Sequence, residues 1–231
     1  GRMVPKPEYV DGYDVRSDDW EHHRDNDRPT RLLYHTDPVE GVPATTYDDD
    51  AGRAEWSEAA TTQEPAFSVV EYLRHGLPEH ETLSTRATVH RREPWYRVER
   101  GDVAPILIAP MSRSGIRFLL NDTNARHLNS YYGVYPDPAI KRTGKKALLA
   151  YLNSTFVDKI VSQEQHTLSG GLKKLEPGDA KYIPVSDPRE FPDAVVSTLA
   201  DAFDDLRAAA RRTEDKAPII SRIDSVLERE L

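Results

Sequence analysis

The run Pro105-Ile106-Leu107-Ile108-Ala109-Pro110, followed past Gly115 by Ile116-Arg117-Phe118-Leu119-Leu120-Asn121, decides the fold of this chain. Both runs are short, rich in branched apolar residues and bounded by proline or glycine, which is the pattern of strands. Working outward, Thr85, Ala87 and Val89 alternate with Arg86, Thr88 and His90, which predicts a further strand over 85–100 with a corner at Pro94-Trp95-Tyr96. On the other side, Leu128-Asn129-Ser130-Tyr131-Tyr132-Gly133-Val134-Tyr135-Pro136 reads as a strand after the turn Asn121-Asp122-Thr123-Asn124. A sheet is therefore expected over about residues 85–136.

Helical spacing takes over afterwards. Leu148, Leu149, Leu152, Phe156, Ile160 and Val161 predict a helix over 146–163, and Val195, Val196, Leu199, Phe203 and Leu206 predict one over 193–212. Ile219, Ile220, Ile223, Val226 and Leu227 predict a last helix over 218–231. Strands first and helices second define an α+β fold: a twisted, mainly antiparallel sheet followed by packed C-terminal helices.

The opening residues read differently. Residues 1–64 are poor in apolar side chains and punctuated by Asp18-Asp19, Asp25-Asn26-Asp27 and Asp48-Asp49-Asp50. They are expected to be an acidic, loop-rich segment with a short strand near Arg31–His35, ahead of one domain over 65–231. A short helix is expected over Ala66–Gly76. His22-His23 among Asp18, Asp19 and Asp25 has no recognised ligand spacing, so no metal site is expected there.

Charge is distributed unevenly. The chain carries −8 overall. Residues 1–85 hold 8 Lys/Arg and 19 Asp/Glu, residues 86–174 hold 15 and 7, and residues 175–231 hold 8 and 13. The middle segment is thus +8 between flanks of −11 and −5. Arg outnumbers Lys by 22 to 9 in this Asp-rich chain, a composition typical of salt-loving hosts. There is no cysteine, which removes disulfides, thiol catalysis and Cys-ligated zinc, and makes the cytoplasm the expected compartment. No apolar run approaches the roughly 18 residues of a membrane helix, so no membrane partner is expected.

Catalytic motifs are missing from the sequence. It contains no GxGxxG, GxxxxGK[ST], HExxH or GxSxG, and no Asn/Asp-Pro-Pro-Tyr/Phe. A Mg²⁺-dependent nuclease built on the N-terminal aspartates would lack a lysine at useful spacing. A binding constellation is better supplied. Arg91, Arg92, Lys141, Arg142, Lys145, Lys146, Lys173 and Lys174 are candidate phosphate contacts, because each neutralised phosphate releases counterions. Arg113, Arg117 and Asn129 are candidates to read base edges or to position the loops that do, with Asn121 and Asn124 as further amides. Trp95, Tyr96, Gly170 and Gly171 would shape a sheet corner and a close backbone approach.

The same residues carry a resemblance. Arg92-Glu93-Pro94-Trp95-Tyr96, Pro110-Met111-Ser112-Arg113, Arg117–Asn121, Leu128–Pro136, Leu149–Ser154, Gly170–Asp179 and Ile183-Pro184-Val185, in that order, resemble the C-terminal target-recognition region of Taq-type, Eco57I-like N6-adenine DNA methyltransferases of restriction–modification systems. The resemblance covers about residues 68–187 and leaves out 1–64. It implies a domain that reads duplex DNA beside an upstream catalytic domain. The catalytic half would bind S-adenosylmethionine and methylate a flipped adenine. A restriction endonuclease, fused or separate, would be a further partner. No cofactor is expected in this fragment, since the motifs for methyl transfer are missing from it. The alternative is a protein-interaction or scaffold module derived from such a domain, without DNA binding.

Overall fold

The structure is a computed structural model, and it describes residues 10, 12–26, 39, 40, 42, 73, 86–97, 101–113, 115–123, 125–164 and 166–230. The chain forms two compact units: Gly1–Leu32 together with Gly101–Leu231, and Leu33–Arg100. The division falls at 32/33 and 100/101. The expected strand at 31–35 and most of the expected helix at 66–76 lie outside the described residues.

In the larger unit, β1 (Asp14–Val15) leads into α1 (Ser17–Asp25). The helix starts where the Asp19 carboxylate accepts the Arg16 backbone N–H at 2.8 Å. In the smaller unit, α2 (Ala87–His90) is a single turn of helix, followed by turns through Tyr96. Over 86–90 the alternation therefore does not become a strand. Val89 N–H and Arg92 N–H close on the carbonyls of Arg86 and Val89 instead. A six-residue alternation is too short to overrule local turn formation.

The larger unit continues with β2 (Ile106–Ala109), β3 (Met111–Ser112), β4 (Arg117–Asn121) and β5 (Tyr132–Val134). The helices α3 (Arg142–Leu152) and α4 (Thr155–Glu164) follow. They divide the one helix expected over 146–163 at Asn153, which caps α3: its backbone N–H and its side-chain amide both donate to the Leu149 carbonyl, at 3.1 and 2.8 Å. β6 (His166–Thr167), a 3₁₀ turn at Ser169–Gly171, β7 (Lys173–Lys174) and α5 (Pro177–Ala180) come next. The chain ends in α6 (Asp193–Arg211) and α7 (Ala217–Glu230), close to the expected helices.

The main sheet has the order β1-β4-β2-β5. β2 is antiparallel to both β4 and β5, with Leu107 opposite Leu119 and Gly133, while β1 joins β4 in parallel. The sheet is thus mainly antiparallel and the fold α+β. Its strands read as unbroken apolar runs because both faces are covered, and side chains alternate between them. Ile106, Ile108, Phe118 and Leu120 pack on Leu148, Leu149, Leu199, Phe203, Leu206 and Ile223 of the helices. Leu107, Ala109 and Leu119 face Val10, Val15, Ala125 and Tyr131 on the reverse. Each fully buried Leu or Ile contributes roughly 1.5–3 kcal/mol.

Two residues finish the sheet. Asn153 accepts the Phe118 N–H at 3.1 Å and donates to the Phe118 carbonyl at 2.9 Å. Its amide continues the β4 edge that Tyr13 and Val15 occupy further along, where their carbonyls accept Leu120 N–H and Asp122 N–H. Gly133 of β5 admits no side chain: a Cβ there would stand 2.6 Å from the His127 ring and 2.9 Å from Ala104.

Candidate nucleic-acid interface

The second sheet has the order β3-β7-β6 and contains only two-residue strands. Sequence periodicity does not announce it, since two residues carry no period. It pairs Ser112 with Lys173 and Met111 with Lys174, segments some sixty residues apart in the chain. Arg113, directly after β3, is thereby brought next to the Lys173-Lys174 strand. The connection from β6 to β7 turns at Gly170 and Gly171, both in the left-handed region at φ 74° and 72°. Nothing lies within 4 Å of a Cβ built at either glycine. Backbone conformation, and not crowding, is what asks for glycine here. Leu168 N–H closes this turn on the Leu172 carbonyl at 2.7 Å.

This end of the unit carries exposed cations and exposed glycine backbone together. Among the described residues, Arg113 and Lys173 have no ion-pair or hydrogen-bond partner; Arg113 is exposed and Lys173 half-buried. Lys174 is held by Glu176 at 2.7 Å, and that hydrogen bond pushes its ammonium pKa up. Nearby in sequence, Met111, Leu168 and Tyr182 are exposed apolar or aromatic side chains, Tyr182 at 83%.

The other predicted cations fall elsewhere. Lys141, Arg142, Lys145 and Lys146 lie at and just before the start of the helix expected over 146–163. They form the N-terminal end of α3, with Lys141 at the cap position. That end has no side-chain cap and no acidic residue in its first turn, so the cations stand against the positive pole of the helix. Two of them are neutralised within the fold. Arg142 grips Asp122 in bidentate fashion at 2.7 and 2.8 Å, and Lys146 pairs with Asp204. Lys141 and Lys145 have no partner among the described residues.

These pairs are the rim of a network that the sequence reading did not find. At its centre is Asp14, whose side chain is fully buried. Its carboxylate accepts Arg207 Nε at 2.8 Å, Arg211 Nε at 3.0 Å and Arg16 Nε at 2.7 Å. Arg207, itself only 7% exposed, also donates to Asp204 at 2.9 Å and to Asp122 at 3.1 Å. Arg211 forks onto Asp19 at 2.9 and 2.7 Å. Burial raises the Asp19 carboxyl, but the hydrogen bonds from Arg211 and the Arg16 N–H outweigh it and leave its pKa below the usual range. One signal was present in the sequence: Arg207 lies four residues after Phe203 and eight after Leu199, on the apolar stripe of α6. A charge on that stripe must find partners. Asp14 gave no comparable signal.

Arg117 and Asn121 are also committed to the fold. Arg117 Nη1 donates to the carbonyls of Val10 and Gly12 at 2.8 and 3.1 Å, tying the N-terminal segment to β4. Asn121 is buried, and its amide donates to the carbonyls of Ala104 and Ala125 at 2.9 and 3.1 Å. It shapes the turn after β4 and has no donor left for a base. Asn129 is exposed in the turn before β5. Asn124 lies outside the described residues.

Trp95 and Tyr96 do not form a sheet corner. They sit in the smaller unit, in edge-to-face contact at 5.4 Å, and pack with Val42 and Leu73 as its core. The Tyr96 hydroxyl accepts the Val39 N–H at 2.7 Å. Both are buried, so neither is placed to stack on a base. Arg91 and Arg92 are exposed on the same unit.

Among the described residues no group of His, Asp or Glu side chains is arranged to hold a metal ion, and no helix is long and apolar enough to cross a membrane.

A mainly antiparallel sheet, a covering layer of helices and a small second sheet carrying Arg113 and Lys173 define the larger unit. Residues 1–227 match the family described as "Type II methyltransferase M.Eco57I, C-terminal domain", and the chain belongs to that family. The match begins at residue 1, so the family likeness extends over the N-terminal segment that the motif resemblance left out. Within that segment β1 and α1 are built into the larger unit. Type II methyltransferase M.AccI of Acinetobacter calcoaceticus is 25% identical over 161 residues, 69% of this chain and 29% of that protein. Type II methyltransferase M.XamI of Xanthomonas campestris pv. amaranthicola is 34% identical over 94 residues, 41% of this chain and 17% of that protein. The chain thus aligns with less than a third of either relative's length.

Proposed function

We propose that this domain recognises a specific sequence in duplex DNA as the target-recognition part of an N6-adenine methyltransferase of a restriction–modification system. The observation that supports this most is the pairing of β3 with β7. It sets Arg113, Lys173 and the Gly170-Gly171 turn on one small sheet, with cations unpaired among the described residues and backbone open to a close approach. An Arg fork suits base edges and phosphates, and a lysine suits phosphates. Lys173, Lys174, Lys141, Lys145, Arg91 and Arg92 hold phosphates in this reading, and Arg113 with Asn129 reaches toward bases. Arg142, Lys146 and Arg117 act by positioning.

Methyl transfer belongs to a catalytic domain outside this chain, with S-adenosylmethionine as donor. The residues here do not fit that cofactor. The glycine pair lies between two-residue strands, not between a long strand and a helix N-terminus, and the sequence lacks the Asn-Pro-Pro-Tyr type of motif. A cognate endonuclease would cut the site that this domain selects for protection.

The test is a titration of the chain with duplexes selected from a random pool, at several salt concentrations. Specific binding with a steep salt dependence, weakened by Arg113→Ala and Lys173→Ala, is expected. Binding that ignores salt, or ignores both substitutions, would overturn the assignment.

A further inference from the structure

We infer that the smaller unit carries a separate clasp for the phosphodiester backbone, formed by Arg86, Arg91, Arg92 and Arg97, which grips duplex DNA without reading its sequence. This rests on the DNA-binding function proposed above and adds to it a division of labour. The four arginines occupy one twelve-residue stretch, 86–97, and all are exposed. The stretch holds a single carboxylate, Glu93, and none of the four pairs with it. This contrasts with residues 33–100 as a whole, which carry 7 Lys/Arg and 13 Asp/Glu.

The stretch is also held in shape. Arg92 Nη1 donates to the Arg97 carbonyl at 3.2 Å, and Arg97 Nη1 donates to the Glu93 carbonyl at 3.5 Å. Arg92 N–H and Arg97 N–H close on Val89 and Pro94 carbonyls at 2.9 and 2.8 Å. Trp95 and Tyr96 anchor the turn in the core beneath. A guanidinium has five N–H donors, so one carbonyl contact orients Arg92 or Arg97 and leaves most donors available. Arg86 and Arg91 have no partner among the described residues. Fixed guanidinium groups with open donors, and no carboxylate paired to them among the described residues, suit phosphate oxygens. No amide side chain stands among them to discriminate bases.

The experiment measures affinity and salt slope of the full chain on two fluorescent duplexes, one selected from a random pool and one scrambled. Arg92→Gln with Arg97→Gln is expected to weaken both duplexes by the same factor. The slope of log affinity against log salt should fall by about 2, at about 0.9 for each phosphate released. Arg92→Lys with Arg97→Lys should keep the wild-type slope. Because Arg92 and Arg97 also brace the turn, Arg86→Gln with Arg91→Gln is the second variant; those side chains brace nothing described, and the same loss of slope is expected. An unchanged slope in both glutamine variants would overturn the clasp, and so would a loss confined to the selected duplex. If those variants bind as wild type while Arg113→Ala with Lys173→Ala lowers the slope, the DNA-binding function stands and the clasp falls. Wild-type chain that binds neither duplex, but binds a poly-glutamate peptide through these arginines, would remove both.

Discussion

Two sets of cations in this molecule have the same chemistry and opposite circumstances. Arg207, Arg211, Arg142 and Lys146 are all taken by aspartates, with Asp14 buried at the centre. Arg113 and Lys173 on the small sheet stand without a partner among the described residues, as do Lys141 and Lys145 at the start of α3. The first set joins β1, α1, the turn after β4, α3 and α6 into one body. Among the described residues the second has nothing to hold. The lesson is that a basic segment is not a binding surface by virtue of its count. Intramolecular carboxylates neutralise part of it, and only the remainder is available to release counterions from a partner.

The comparison can be broken first at its buried centre. Asp14→Asn leaves Arg207 buried with less compensation, and a loss of about 3 kcal/mol in unfolding free energy is expected in urea titration. A loss below about 1 kcal/mol would mean that Asp122 and Asp204 suffice for Arg207.

Next in size is the free set. Arg113→Ala with Lys173→Ala should leave the urea midpoint in place and lower the salt slope of DNA binding by about 2. Equal destabilisation of the fold would erase the distinction drawn between the two sets.

Acid probes the network by another route. The Asp19 carboxyl is held below its ordinary range in the folded chain, so its contribution to stability is complete above the pKa of the unfolded chain. It is lost as pH falls through the lower folded pKa. Unfolding followed by circular dichroism should therefore show a steeper acid loss in wild type than in Arg211→Gln, in which that depression is relieved.

The smallest effect is expected at the rim. Arg142→Gln removes an ion pair whose arginine side chain is 63% exposed, and should cost at most about 1 kcal/mol. It should leave the salt slope unchanged, whereas Lys141→Gln should lower it by about 1. An equal drop in slope for both would show that phosphate displaces Asp122 from Arg142.

Much of the scaffold was legible. Ile106–Ala109 and Arg117–Asn121 announce their strands by unbroken apolar character, and α6 and α7 by helical spacing carried over many residues. The motif order from Arg92 to Val185 pointed to the right family. Errors came where the signal was short or the decisive contact distant. The alternation up to His90 is too brief to resist a turn of helix over Ala87–His90, and the Asn153 side chain that caps α3 also meets the backbone of Phe118, thirty-five residues away.

Composition and periodicity, then, determined the α+β class, the location of the main strands and late helices, and a cation-rich middle, because these follow from local patterns of apolar and charged residues. Only the tertiary structure decided which cations are spoken for. Asp14 meets Arg207 across 193 residues, and Ser112 meets Lys173 across a sheet of two-residue strands. Pairing of charges is settled by distance in space and by removal from water, and neither is written in the order of the residues.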